Sequence, residues 1–241
     1  MPATSYFITG TDTEVGKTVV TCAMLRAFVA KGARAVAMKP VASGCLVNAD
    51  GGLDNEDVLA HAAAANVAAP RSLANPYAFL PPISPHLAAR EAGVAIDMDH
   101  LVRCHGELRE LADVVLVEGA GGWLAPLDES RTMADLAKAM NIPVVLVVGL
   151  RLGCLNHAML TEEAILARGV RLAGWVANRV DPHMRNADDN LAYLQSHIAA
   201  PLLGVLPHHP GLHAAPQATV SIEAFRSEML LDKGFGVDRL G

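Results

Sequence analysis

The sequence predicts an α/β fold: a mainly parallel, doubly wound sheet with helices on both faces. Three observations predict it. Short apolar runs alternate along the chain with segments of helical length, the pattern of strands joined by crossover helices. Hydrophobic residues make up 52% of the 241 residues and aromatic residues only 4%. Aliphatic side chains and alanine must therefore fill the core, which suits parallel strands buried on both faces. The first apolar run also leads through a glycine-bounded turn straight into a helix. The length is enough for one α/β domain with a sizeable core, so a single domain over residues 1–241 is expected.

The first strand is expected at residues 6–8 and the first helix at 19–29. Between them lies Gly10-Thr11-Asp12-Thr13-Glu14-Val15-Gly16-Lys17-Thr18. A strand, a glycine-bounded turn, Gly-Lys-Thr and a helix make a phosphate-binding loop, and the fold becomes one of the P-loop NTPase type. Free N–H groups at the helix start and the helix dipole favour an anion there. Gly16 allows close backbone approach. Lys17 adds a charge near the β/γ-phosphates, and the Thr18 hydroxyl can bind Mg²⁺. The common GxxxxGK[ST] spacing places glycine at position 11; this chain has Thr11, with Gly10 one residue earlier. An ordinary strand–turn–helix that happens to carry Gly-Lys-Thr is the bland alternative.

A second strand is expected at 34–38, ending in Lys39-Pro40-Val41-Ala42-Ser43-Gly44. Ligands in open α/β sheets bind beyond the carboxyl ends of strands, so Lys39 and Ser43 stand where a substrate can sit. Read alone, a lysine there is a solvated charge. Residues 48–52 read as a polar loop. A helix over 54–65 opens with Asp54-Asn55-Glu56-Asp57. These acids serve as caps and dipole complements, or one of them reaches a metal. Residues 75–85 are proline-rich and expected to be irregular, with a helix starting at Ser84-Pro85-His86. Another helix is expected at 98–111.

Residues 113–117 read as a buried strand, followed by Glu118-Gly119-Ala120-Gly121-Gly122. A carboxylate at a strand end beside a glycine run is where P-loop proteins hold a Mg²⁺-linked acid. A glycine turn with a solvated glutamate is the alternative, and the pairing with residues 10–18 favours the functional reading. Helices are expected at 132–140, 155–168 and 188–199, and strands at 143–148, 172–177 and 202–206. Gly149 to Gly153 forms a turn. Asn178-Arg179-Val180-Asp181 is similar to the Asn-Lys-x-Asp signature that reads guanine, although the arginine and the lack of other GTPase switch motifs weaken a guanine reading. His208-His209 reads as a solvated loop pair after the last strand. A short helix at 222–231 is the expectation for the tail; residues 211–241 carry no other assignment.

The totals exclude several classes. A net charge of −6 argues against nucleic acid as a main partner. Cys22, Cys45, Cys104 and Cys154 show no CxxC spacing and read as reduced thiols of a cytoplasmic protein. Met1-Pro2-Ala3-Thr4-Ser5 is expected to lead straight into the first strand, so no signal peptide is expected. No apolar run has the length of a membrane span.

Together the segments resemble dethiobiotin synthetase. They are 7–18 (FITGTDTEVGKT), 39–44 (KPVASG), Asn75-Pro76-Tyr77, Ser84-Pro85-His86, 117–123 (VEGAGGW), 147–159 and 174–178. They span roughly residues 5–207, and Gly10 in place of a glycine at 11 is also the family's form of the loop. The resemblance implies ATP-dependent closure of a cyclic urea on diaminopelargonate with CO₂ or bicarbonate. Carboxylation of one amine gives a carbamate, ATP phosphorylates it, and the second amine attacks the mixed anhydride. By resemblance, Lys17 and Lys39 flank the reacting groups and are catalytic. Glu14, Val15, Gly16, Lys17, Thr18 and Val19 wrap the phosphates. Thr18, Asp57 and Glu118 hold Mg²⁺. Gly119, Ala120 and Gly121 border the nucleotide. Asn178, Arg179, Pro207, His208 and His209 lie toward the base, with Arg179 standing where the family often has an acid. Thr13 and Ser43 touch substrate. The family is homodimeric, and Gly153, Cys154, Leu155 and Asn156 resemble the turn that reaches the partner's substrate. The alternatives are an amidoligase-type enzyme, for whose usual glutaminase domain 241 residues leave no space, and a ParA/MinD-like ATPase switch. The switch carries an additional lysine where this chain has Thr11 and Asp12.

Overall fold

The computed structural model describes residues 3–208. The expected helix at 222–231 and His209 lie outside the described residues. In chain order the elements are β1 (Thr4–Gly10), α1 (Lys17–Ala30), β2 (Ala35–Met38), β3 (Val41–Ala42), β4 (Leu46–Val47), β5 (Leu53–Asp54), α2 (Glu56–Ala64), α3 (Arg71–Ala74) and β6 (Tyr77–Ala78). Then follow α4 (Pro85–Glu91), α5 (Met98–Leu111), β7 (Val114–Gly122), α6 (Met133–Met140), β8 (Val144–Gly149), α7 (Cys154–Ala167), β9 (Leu172–Asn178), α8 (Ala187–His197) and β10 (Leu202–Leu206).

Six strands form the main sheet in the order β10-β9-β8-β1-β7-β2. Every pairing in it is parallel. β1 lies between β7 and β8, so the chain leaves β1 in one direction and later returns to its other side. That reversal opens a crevice at the carboxyl end of β1, where open α/β sheets bind ligands.

Side chains of a strand alternate between faces, and the core follows that period. Tyr6, Ile8, Leu116, Val145 and Val147 pack on one side with Val20, Met24, Leu25 and Phe28 of α1. Phe7, Val115, Val117, Leu146 and Trp175 pack on the other with Leu101 and Leu108 of α5 and Leu136 of α6. Both faces are apolar because both are covered. α1 therefore covers one face near β1, with α2 beside it.

Two expectations need correction. The strand expected to end at residue 117 runs on through Gly122, and Gly10 pairs with Gly122 past a register shift. Glu118 is thus inside a strand, opposite Ile8, and not at its end. The glycine run stays in the strand because β1 pairs with it on both sides of the register shift, at Glu118 and Gly122; between them Gly121 takes φ +67°, a conformation that suits glycine, and local propensity does not register that tertiary contact. Residues 48–52 form the expected loop, which closes a hairpin between antiparallel β4 and β5, with Asn48 Oδ1 accepting from Gly52 N at 2.8 Å. The proline-rich stretch includes β6, which pairs in parallel with β3; Pro76 precedes the paired residues and so removes no ladder donor.

Candidate active site

The loop after β1 fits its sequence closely. Gly16 has φ +85° and caps α1, whose first turn carries no acidic residue and no side-chain cap. The unsatisfied N–H groups of a helix start are then open to an anion. A Cβ on Gly16 would stand 2.1 Å from Asn178 Nδ2, and that amide donates to the Val15 carbonyl at 3.0 Å. Gly16 is required by both conformation and space. The displaced glycine has a similar cause: a Cβ at Gly10 would meet Val15 Cγ2 at 2.5 Å. The loop folds back onto the end of β1, so the tight position is residue 10, and Thr11 has space for its side chain. Lys17 Nζ donates to the Asp12 carbonyl at 3.0 Å, which lays the lysine along the loop. Arg151, after β8, pairs with Asp12 at 2.5 Å.

Four side chains from four elements meet beside this loop. Lys39 follows β2; Lys39 N donates to Ala74 O at 2.7 Å, and Asn75 Nδ2 donates to Lys39 O at 2.7 Å. Held from both sides, its ammonium lies 2.6 Å from Glu118 Oε1 and 2.8 Å from Asp57 Oδ2. Lys39 is 6% exposed, which overturns the solvated-charge reading. Thr18 Oγ1 is 2.7 Å from Asp57 Oδ1 and 3.0 Å from Glu118 Oε1; its one hydrogen serves one acceptor at a time. Asp57 is carried by α2, whose N-cap is Asn55, with Oδ1 accepting from Asp57 N at 3.1 Å. Asn55 Nδ2 also donates to Ser43 O at 3.2 Å. The polar residues of this helix start therefore divide: Asn55 caps, Glu56 is exposed, and Asp57 reaches the site.

The charges balance locally. Burial opposes ionisation of Glu118, but Lys39 and then His61 outweigh it and hold its carboxyl well below the usual range. Burial likewise opposes the Lys39 ammonium, and Glu118 and Asp57 outweigh it, raising its pKa. Burial, then the neighbouring charge of Lys39, lowers Lys17 to about 8. Near neutral pH Glu118 is thus held as a carboxylate and Lys39 as an ammonium.

Thr18, Asp57 and Glu118 offer oxygen donors only, the set that suits a hard cation such as Mg²⁺. Among the described residues no group of three His, Cys, Asp or Glu could hold a metal. A cation here would complete its shell from phosphate oxygens and water, as Mg²⁺ commonly does. The donor set fits the ion.

Thr13 and Glu14 are exposed on the loop, Glu14 with φ 59°, while Val15 is buried and Val19 half-buried on α1. Gly119 and Ala120 are buried in β7, and a Cβ at Gly121 would lie 3.8 Å from Thr13 Oγ1. Gly153, at φ +95°, caps α7 without a side-chain cap; Cys154 is buried, Leu155 half-buried, and Gly153 and Asn156 exposed. Arg179 is ion-paired with Asp188, and its carbonyl lies 3.1 Å from His208 Nδ1. Pro207 and His208 are exposed.

The motif reading missed His61. It is 3% exposed, and its Nε2 lies 2.8 Å from Glu118 Oε2. A signal existed: His61 is four residues after Asp57 on an expected helix, so both share a face. Asn75 was legible only as a motif letter; its clamp on Lys39 needs the third dimension.

A parallel sheet with a phosphate-binding loop at its switch point, and a lysine–carboxylate–threonine cluster beside that loop, defines a P-loop nucleotide-binding protein. Solved structures agree at the level of fold. The MinC:MinD cell division protein complex of Aquifex aeolicus matches with TM-score 0.55 at 16% identity, over 89% of this chain and 85% of that one. MinD complexed with Mg-ADP from Pyrococcus horikoshii OT3 matches with TM-score 0.52 at 18% identity, over 97% and 90%.

Sequence comparison narrows the class. The family described as "AAA domain" matches residues 4–216. ATP-dependent dethiobiotin synthetase BioD of Nitrosospira multiformis is 51% identical over 203 residues, 84% of this chain and 88% of that protein. The enzyme of the same name from Xylella fastidiosa (strain Temecula1) is 49% identical over 220 residues, 91% and 97% of the two chains. The chain belongs to the ATP-dependent dethiobiotin synthetase family.

Proposed function

We propose that this protein is an ATP-dependent dethiobiotin synthase. It carboxylates one amine of 7,8-diaminononanoate with CO₂, phosphorylates the carbamate with Mg·ATP, and closes the ureido ring to release dethiobiotin, ADP and phosphate. The observation that carries the assignment is identity of about half over most of the chain to proteins of that activity. The MinD-like fold match is distant, at 16–18% identity, and supports a shared scaffold, not a switch function.

The site chemistry suits the reaction. A carbamate and a triphosphate are both anions, and a carbamate oxygen is a weak nucleophile. Catalysis then consists of positioning and charge stabilisation. In this reading Lys17 reaches the phosphates once nucleotide displaces it from the Asp12 carbonyl, and Lys39 lies between carbamate and γ-phosphate. Thr18, Asp57 and Glu118 hold Mg²⁺, whose charge neutralises phosphate oxygens. Two ammonium groups near the substrate diamine favour its neutral, nucleophilic form. Glu14, Val15, Gly16 and Val19 line the phosphates, and Gly119, Ala120 and Gly121 border them. Asn178, Arg179, Pro207, His208 and His209 are the residues assigned to the base by the family resemblance. Thr13 and Ser43 hold the diamine end, and Gly153, Cys154, Leu155 and Asn156 meet the substrate of a second copy in a homodimer. The chain works as a single domain in the cytoplasm; among the described residues no helix is long and apolar enough to cross a membrane. The test is ADP formation by the purified protein with Mg·ATP and bicarbonate. It should require diaminononanoate; substrate-independent hydrolysis would remove the assignment.

A further inference from the structure

Glu118 is wholly buried, so both its oxygens need partners inside the protein. Oε1 faces the site, within 2.6 Å of Lys39 Nζ and 3.0 Å of Thr18 Oγ1. Oε2 is held from α2 by His61 Nε2 at 2.8 Å. A carboxylate has a broad terminal torsion, and a buried one with a free oxygen would turn to share its partners. His61 removes that freedom. Asp57 and His61 stand one turn apart on α2, whose start is tied by Asn55 to the Ser43 carbonyl. One helix thereby supplies a carboxylate to the site and the brace for the other.

We propose that His61 is a positioning residue: its Nε2–H donates to Glu118 Oε2 and keeps Oε1 aimed at Thr18 and Lys39, in the orientation that receives Mg²⁺ with nucleotide. His61 contacts the carboxylate, not the reacting atoms. Partners behind a metal-binding carboxylate commonly change metal affinity or activity by about 10- to 100-fold when removed. The proposal rests on the reading of this site as a Mg·nucleotide site.

The test measures ADP binding by calorimetry, with Mg²⁺ and with EDTA, for the intact protein and its variants. Wild type should bind ADP more tightly with Mg²⁺. His61→Leu should lose about tenfold or more of that enhancement while binding ADP as before in EDTA. His61→Gln, whose amide places a donor near the Nε2 position, should restore most of it; His61→Asn, too short, should not. Turnover should follow, with a raised half-saturating Mg²⁺ concentration and an unchanged KM for the diamine. If His61→Leu does not fold, the Gln and Asn variants decide. Equal Mg²⁺ enhancement in His61→Asn and wild type, or Gln no better than Asn, overturns the proposal. A wild type whose ADP binding ignores Mg²⁺ overturns the underlying site reading as well.

Discussion

Replacing Lys39 by Met removes the ammonium from between two carboxylates and leaves the hydrocarbon stem in place. Glu118, fully buried, then keeps only His61 and Thr18 among the partners described above. Removing one member of a buried ion pair costs about 3–5 kcal/mol, because the other charge stays behind unpaired. For a domain of this size each kcal/mol moves Tm by roughly 2–4 °C, so Lys39→Met should melt about 6–20 °C below wild type. A second substitution separates charge from packing. Glu118→Gln removes the stranded charge, so the double variant should recover part of the loss, with a coupling energy of about 1.5 kcal/mol or more. Thermal melts of the four proteins complete the cycle. Losses that add within about 0.5 kcal/mol would refute the argument that these groups hold each other. The same variant should bind ATP but lose roughly 100-fold or more in turnover, the scale for one lost charge-stabilising group. Near-normal turnover would remove Lys39 from the mechanism.

Three further outcomes are expected. Glu118→Gln should raise the Mg²⁺ concentration needed for half-maximal activity, and an unchanged metal titration would refute its role. Gly16→Ala forces a side chain into left-handed backbone, costing about 1–2 kcal/mol, and pushes Asn178 off the loop; the KM for ATP should rise sharply, and a normal KM would show that the loop tolerates the Cβ. His105 is buried against Ser5 at 3.0 Å, and burial, then Arg109, lowers it from 6.5 to about 4. Its folded pKa lies below its unfolded one, so the unfolded chain binds the proton first; stability should fall as pH drops from 6.5 towards 4, by about 3 kcal/mol in all. His105→Gln should remove that part of the pH dependence in urea melts, and an unaltered profile would show that other groups carry it.

Much of this was legible because its signals are local. The loop, the strand at 202–206 and the helix at 98–111 follow from spacing alone, and helix ends elsewhere shift by a residue or two. Asp57 stood out as one of several acids at a helix start, but only contact with Thr18 and Lys39 separates it from the exposed Glu56. The run after Val117 reads as a turn because glycine lacks strand propensity; pairing with β1 at Glu118 and Gly122 holds it in the strand across a register shift. Lys39 reads as solvated until Asn75 and Ala74 are seen holding its backbone. His61 lies on the expected face, yet nothing in its letter says that a carboxylate from a strand 57 residues away meets it. What local pattern cannot supply is the pairing of distant buried charges.

The most direct measurement supplies the purified protein with Mg·ATP, diaminononanoate and ¹³C-labelled bicarbonate, and follows phosphate and product mass together. The account predicts one phosphate per molecule of dethiobiotin, each carrying a single labelled carbon in its ureido ring. Phosphate released without labelled product, or at the same rate with no diamine, would contradict it.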